Sequence, residues 1–301
     1  NLIIAKSPNI PKEIKKLCKK IYQIDTITYS IKDNLKFILK ANSILKNEHT
    51  CKKIEINHSI YPNSSLCAAV LFKKFVNSKV NIIYEVRSPW IEMSISQGYI
   101  NRNLVPIYKS VLFSEERVLC KSVDHFVFIT KGLNDYYNKF YGTQNKKSTV
   151  IPSGVDTKSF KRVKSNIRKK YDIKNDEILL GYVGSIERKR QLLDFLRMFA
   201  EVSKTNKNVK LMFVGDGNSK EEIEDSTKEL GLEDKVIFIG KAPYKEVTKY
   251  ISAFNFGVCH LPDIFVYQNS FPLKILEYLS CGVPVLASDI KAHREISKNL
   301  K

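Results

Sequence analysis

Nine short apolar runs, spaced along most of the chain, constrain the fold more than any other feature. They fall at residues 53–57, 80–86, 125–129, 149–151, 178–183, 209–214, 236–239, 256–259 and 283–287. Rich in Val, Ile and Phe and poor in charge, they have the pattern of strands covered on both faces of a parallel sheet. Amphipathic stretches lie between them, at 64–77, 103–123, 220–230 and 244–253. Another begins at 192, where Leu192, Phe195, Leu196, Phe199 and Val202 make one apolar stripe at helical spacing. Strands and helices alternating in this order need crossovers, and right-handed crossovers wind helices onto both faces of a sheet.

A chain of 301 residues is long enough for two such units. Pro152, Ser153 and Gly154 mark a turn between them, and the domains are taken as 1–160 and 161–301. The first residues lie inside an apolar segment without Met, and the last follow a strand with no closing helix, so both domains are expected to be incomplete. The formal charge is +19, of which +13 falls in residues 1–160 (25 Lys and Arg against 12 Asp and Glu). That excess reads either as general lysine enrichment or as a basic face for an anionic membrane or a phosphorylated ligand. Nucleic acid is not expected as a partner, since no zinc finger, RNP-like run or concentrated Arg cluster is present. Six scattered cysteines without a Cys-x-x-Cys pair read as reduced thiols of a cytoplasmic protein. No apolar run approaches the roughly 18 residues of a membrane span.

Chemistry concentrates in the second half. Asn269-Ser270-Phe271-Pro272-Leu273-Lys274 leads into a helix that ends at Gly282. Ser270 and Pro272 fit the opening of that helix, as N-cap and first-turn residues. Its free N–H groups and positive dipole suit a phosphate. Glu277, one turn further in, can accept from two adjacent hydroxyls, as a ribose offers. Together these point to a sugar nucleotide. A second element, Gly184-Ser185-Ile186-Glu187-Arg188-Lys189-Arg190, follows a strand and places three cations at the expected start of a helix, where the dipole disfavours them. A bound pyrophosphate removes that conflict; a solvated basic corner is the plainer reading. Gly215, Asp216 and Gly217 end another strand, as a structural turn or as a close approach to ligand.

In the first half, His58 and Arg87 stand at successive strand ends, where they either line a cleft or serve locally, Arg87 as an ion pair with Glu85. The acidic pairs Glu115-Glu116 and Glu221-Glu222 read as solvated helix surface. His260 and His293 lack metal-ligand spacing, and neither an Asp-x-Asp motif nor a Walker loop is present, so no metal and no cofactor is expected.

Four of these elements, in this order, resemble the retaining glycosyltransferases of family four. They are Ile151-Pro152-Ser153-Gly154-Val155-Asp156 with Phe160; Gly184 to Arg190; Val214-Gly215-Asp216-Gly217; and residues 269–284 with the downstream Gly282-Val283-Pro284. The resemblance implies the GT-B fold, two Rossmann-like domains facing a cleft. It implies that Glu277 holds the nucleotide ribose and that Arg190 binds the donor phosphates, with Arg188 compensating for Ser185, where many members carry arginine. Asn269 stands in the place of a glutamate that contacts the donor sugar, an uncharged departure. Ser270, Phe271, Pro272, Leu273 and Lys274 fall at the donor's phosphates and sugar, with Gly184, Gly215 and Asp216 beside them, and His58 and Arg87 fall on the acceptor side. The expected activity is metal-independent transfer of a hexosyl group from a nucleoside diphosphate sugar to a saccharide or polyprenyl-linked acceptor, in bacterial surface polysaccharide synthesis. The expected location is the cytoplasm, at the inner face of the membrane. A nucleotide-sugar 2-epimerase of the same fold and a non-catalytic nucleotide-sugar-binding subunit are the alternatives.

Overall fold

A computed structural model describes residues 2–5, 16, 21–24, 31–47, 53–57, 64–96 and 102–298. The chain divides into two compact units, Asn1–Pro152 and Ser153–Lys301. Eleven strands are described, all paired in parallel: β1 (Leu2–Ala5), β2 (Ile21–Ile24), β3 (Lys53–Asn57), β4 (Asn81–Val86), β5 (His125–Phe128), β6 (Lys147–Val150), β7 (Ile178–Val183), β8 (Val209–Val214), β9 (Val236–Gly240), β10 (Phe256–Cys259) and β11 (Val285–Ala287). Nine lie at or within a residue or two of the apolar runs. β1 and β2 are additional, as is the helix Ile31–Asn47.

The first unit holds a sheet in the order β3-β4-β5-β6 and the pair β1-β2. Ile24 of β2, Phe37 and Ala41 of helix Ile31–Asn47 and Ala68 of helix Ser64–Phe75 form one buried cluster. An aromatic core covers β4 and β5: Tyr84, Phe126, Phe128 and Tyr137 are buried, and the Phe126 and Phe128 rings stack 5.6 Å apart. Glu116 lies inside this core. It is 1% exposed and accepts hydrogen bonds from Tyr84 Oη (3.2 Å), Tyr137 Oη (3.1 Å) and Trp90 Nε1 (3.3 Å). The expectation of a solvated Glu116 is therefore corrected. The helix Val105–Cys120 turns this residue inward, and three aromatic donors supply the partners that a buried carboxylate needs.

The second unit carries a sheet in the order β11-β10-β7-β8-β9. Numbered within the unit, this is the 3-2-1-4-5 arrangement of a Rossmann-type sheet. Successive side chains of a strand point to opposite faces, and both faces are apolar. Leu211 and Phe213 of β8 pack with Leu192, Leu196 and Phe199 on one side. Met212 and Val214 pack with Ile251, Tyr278 and Val283 on the other. Helix Leu192–Thr205 buries Leu192, Leu196, Phe199, Ala200 and Ser203, while Val202 is 47% exposed. The buried stripe thus follows the small residues Ala200 and Ser203 rather than Val202. The stretch from 244 divides into a 3₁₀ turn, Tyr244–Glu246, and a short helix, Val247–Ile251. A closing helix is present, contrary to expectation. Lys291–Lys298 buries Ala292, His293 and Ile296, and its many polar residues had hidden this narrow stripe. No helix among the described residues is long and apolar enough to cross a membrane.

Candidate nucleotide-sugar site

Strand order decides where a ligand can enter. In an open parallel sheet, ligands bind beyond the carboxyl ends of the strands, where the winding reverses. Here the reversal lies between β7 and β10. These strands pair only at Leu180 with Phe256 and Gly181 with Gly257. Both glycines are required by packing. A Cβ on Gly181 would lie 2.1 Å from the Phe254 ring, and one on Gly257 2.4 Å from the Tyr278 ring. Beyond this point the Tyr278 hydroxyl replaces the missing ladder, accepting from the Val183 N–H (2.8 Å) and donating to the Val258 carbonyl (3.3 Å). One side chain thus bridges the strands where they part.

Two turns form one wall. Gly184 (φ 138°) follows β7, and Gly215 (φ 155°) follows β8. A Cβ on Gly215 would fall on the Gly184 carbonyl, and one on Gly217 would lie 2.3 Å from the carbonyl oxygen of Ile186. The close approach that the Gly-Asp-Gly sequence permits is therefore made to the neighbouring turn. Asp216 is exposed, and its carboxylate accepts the N–H of Gly217 at 2.9 Å. The cations that follow Gly184 are not on the first turn of a helix. Arg188–Arg190 form a 3₁₀ turn, and Gln191, at φ 51°, separates them from helix Leu192–Thr205. The conflict with that helix's dipole does not arise. Arg190 Nε donates to Ser185 Oγ at 3.1 Å, which holds its guanidinium against the loop after β7. Arg188 is 78% exposed and pairs with Glu222 at 3.3 Å, and Lys189 pairs with Glu187 at 2.6 Å.

The opposite wall is the segment that ends in helix Leu273–Ser280. Pro272 is its N-cap residue, and no side chain caps it. Ser270 does not take that place: its N–H (3.2 Å) and its hydroxyl (2.9 Å) both donate to the Tyr267 carbonyl. The short helix Phe265–Gln268 immediately upstream offers that acceptor first. Asn269 is 6% exposed, and its Nδ2 donates to the Phe265 carbonyl at 2.8 Å. Phe271 packs against the cluster of Cys259, Ile275 and Ile296, and Leu273 is 40% exposed.

Lys274 and Glu277 follow on this helix. The Lys274 residue is half-buried, but its ammonium nitrogen is enclosed and has no hydrogen-bond partner. It sits 3.8 Å from the centroid of the Tyr182 ring and 3.1 Å from where a Cβ on Gly184 would lie. Loss of solvent pushes its pKa down to about 7, and the Arg190 charge acts in the same direction, while Cys259 and Glu277 oppose it. Burial raises the Glu277 carboxyl above its ordinary value, against the pull of Lys274. Lys274 thus lies within electrostatic reach of both Arg190 and Glu277.

The end of β10 adds residues that sequence reasoning did not assign. Cys259 Sγ lies 3.4 Å from His293 Nε2, and His293 Nδ1 is 2.6 Å from the Ser288 carbonyl. Burial pushes the Cys259 thiol up to about 11 and lowers His260 and His293 below the ordinary histidine value. A lone Cys or His carries no spacing signal; only strand order brings them to this crevice.

Of the residues assigned to the acceptor side, Arg87 is in the first unit, where its Nε pairs with Glu85 at 2.7 Å on the surface. His58 lies outside the described residues.

Two parallel α/β units, the second with cations at its switch point, define a protein of the GT-B class. The family model for glycosyltransferase family 4 matches residues 6–159, and that for glycosyl transferases group 1 matches residues 163–301. The chain belongs to glycosyltransferase family 4. It is 23% identical, over 95% of its length, to N-acetyl-alpha-D-glucosaminyl L-malate synthase of Bacillus anthracis, spanning 71% of that protein. It is 26% identical, over 64% of its length, to alpha-monoglucosyldiacylglycerol synthase of Streptococcus pneumoniae, of which it spans 42%. Among solved structures, Anabaena HepE in complex with UDP and glucose superposes with a TM-score of 0.67 at 13% identity, over 98% of this chain and 82% of that one. WaaG, a glycosyltransferase involved in lipopolysaccharide biosynthesis, gives 0.66 at 16% identity, over 92% and 70%.

Proposed function

We propose that this chain transfers a hexosyl group from a nucleoside diphosphate sugar to a saccharide or lipid-linked acceptor, with retention at the anomeric carbon and without a metal ion. The observation that carries this reading is the grouping of Arg190, Lys274 and Glu277 at the β7/β10 switch point. Breaking the bond from the anomeric carbon to the phosphate oxygen puts charge on the departing diphosphate. Arg190, steadied by Ser185, offers planar donors to that charge. Glu277 accepts from the ribose hydroxyls. The acceptor oxygen attacks from the face that the diphosphate leaves, and its proton passes to a phosphate oxygen. Arg188, exposed and paired with Glu222, contributes to the field rather than to contact.

The nucleotide-sugar class is supported by HepE, whose structure was determined with UDP-glucose. A lipid-linked or surface-glycan acceptor is supported by the names of the pneumococcal synthase and of WaaG. The charge of residues 1–160 supports work at the inner face of an anionic membrane. Co-sedimentation with anionic vesicles and not with neutral ones is the expected result.

A thermal-shift series with UDP-, GDP- and ADP-sugars tests the donor class, because a ligand that binds only the folded state raises its melting temperature. Glu277→Ala and Arg190→Ala are each expected to reduce turnover by about 10²-fold while the protein stays folded. Normal turnover in either variant removes that residue from the site. A second reading, a nucleotide-sugar-binding subunit without turnover, is favoured by Asn269 in place of the glutamate. Donor binding with neither transfer nor epimerisation in product analysis would establish it.

A further inference from the structure

The enclosed ammonium of Lys274 makes no hydrogen bond among the described residues. A buried cation without hydrogen-bond partners is strongly unfavourable in a folded protein. Tyr182 offers the face of its ring and Arg190 repels, while Glu277, one turn along the same helix, is attractive. The hydrogen-bonding capacity of Nζ is nevertheless unused, and it is directed at Gly184, where the loop after β7 begins. The side chain therefore stands ready for a group that is both anionic and a hydrogen-bond acceptor, at the carboxyl ends of β7 and β10.

We propose that Lys274 takes up a proton when a nucleoside diphosphate binds, the ligand's phosphate being the anionic hydrogen-bond acceptor that Nζ lacks among the described residues. This rests on the donor-site reading above and adds a protonation step to it. In the free protein the amine is partly neutral near pH 7 and mostly neutral above it. A phosphate oxygen beside Nζ favours the charged form. The proton comes from solvent or buffer, and no covalent bond is made or broken.

The groups facing Lys274 from each neighbouring element do not share this titration. Cys259 on β10 stays a thiol through the neutral range. His260 and His293 are neutral above pH 7. Tyr182 is held protonated by burial. Glu277, although raised, is a carboxyl starting from the acidic range.

Calorimetric titration of the full chain with UDP and with GDP, at pH 8 in two buffers of different ionisation enthalpy, tests the proposal. The expected result is uptake of about one proton per bound nucleotide, with affinity falling roughly tenfold per pH unit above neutrality. In Lys274→Met and Lys274→Arg the uptake disappears and the pH slope flattens, circular dichroism confirming that both variants fold. Binding by the wild type without buffer-dependent heat overturns the proposal and leaves the nucleotide-sugar reading standing. Uptake that persists in both variants also overturns it, by placing the proton elsewhere. Failure of the wild type to bind UDP, GDP or ADP overturns the donor-site reading and this inference with it.

Discussion

Glu116 in the first unit and Lys274 in the second are both ionisable groups withdrawn from water, and the chain treats them in opposite ways. Around Glu116 it gathers two phenols and an indole, all donating. Around Lys274 it gathers a ring face, a repelling arginine and attractive groups that make no hydrogen bond to Nζ. The first is a closed network, in which each member meets a need of another. The second is an open one, in which Nζ makes no hydrogen bond among the described residues. Half-buried charges in the first unit are likewise answered locally: Lys73 pairs with Asp124 at 2.5 Å, and Lys146 donates to the carbonyls of Lys121 (2.6 Å) and Val123 (2.9 Å). The satisfied charge is part of the architecture, and the unsatisfied one is where the proposed phosphate would enter.

The largest effect is expected where the closed network is broken. Glu116→Ala leaves three buried donors without their acceptor and is expected to destabilise the protein by about 3–5 kcal/mol in chemical denaturation. A loss under about 1 kcal/mol would make the network dispensable and dissolve the contrast. Lys274→Met should move stability the other way, because it removes a buried amine whose nitrogen makes no hydrogen bond among the described residues. The sign with pH follows from linkage. The folded pKa, about 7, lies below the unfolded value of about 10.4, so the unfolded chain binds more protons between the two. Wild-type stability relative to Lys274→Met should therefore rise by roughly 1 kcal/mol per pH unit from pH 7 to 9. A flat difference would show that the ammonium finds a partner in solution.

Tyr278→Phe tests the bridge over the crevice. Loss of the hydroxyl leaves the Val183 N–H and the Val258 carbonyl without it, at an expected cost of about 1–3 kcal/mol, read as a lower melting temperature. A melting temperature equal to wild type would mean that the strands do not depend on this link. The smallest change is expected from Arg87→Ala. It breaks an exposed pair with Glu85, and such pairs contribute about 0–1 kcal/mol. A larger loss would give Arg87 a structural weight that its surface position does not suggest.

Much of the fold was legible because buried strands leave a plain trace. The runs at 178–183, 209–214 and 256–259 match their strands end to end, since both faces of each had to be apolar. The helix at 291–298 was missed because its buried stripe is only Ala292, His293 and Ile296 among polar residues. At the site, Glu277, Lys274 and Arg190 were readable as residue types near strand ends. That Ser270 leaves the N-cap to Pro272 was not, because its hydroxyl donates to the Tyr267 carbonyl of a short helix that periodicity does not reveal. Glu116 was misread because its inward turn depends on aromatic partners 21 to 32 residues away in the sequence.

The sequence by itself determined two parallel α/β units and a cationic turn after β7, because apolar periodicity and loop chemistry are local properties that each segment carries alone. Only the tertiary structure decided the strand order β11-β10-β7-β8-β9, and that order parts β7 from β10, inserts Tyr278 between them and encloses the Lys274 ammonium beside Gly184. Whether a buried charge is answered depends on neighbours brought from distant segments, and the energy of that encounter is written in no one of them.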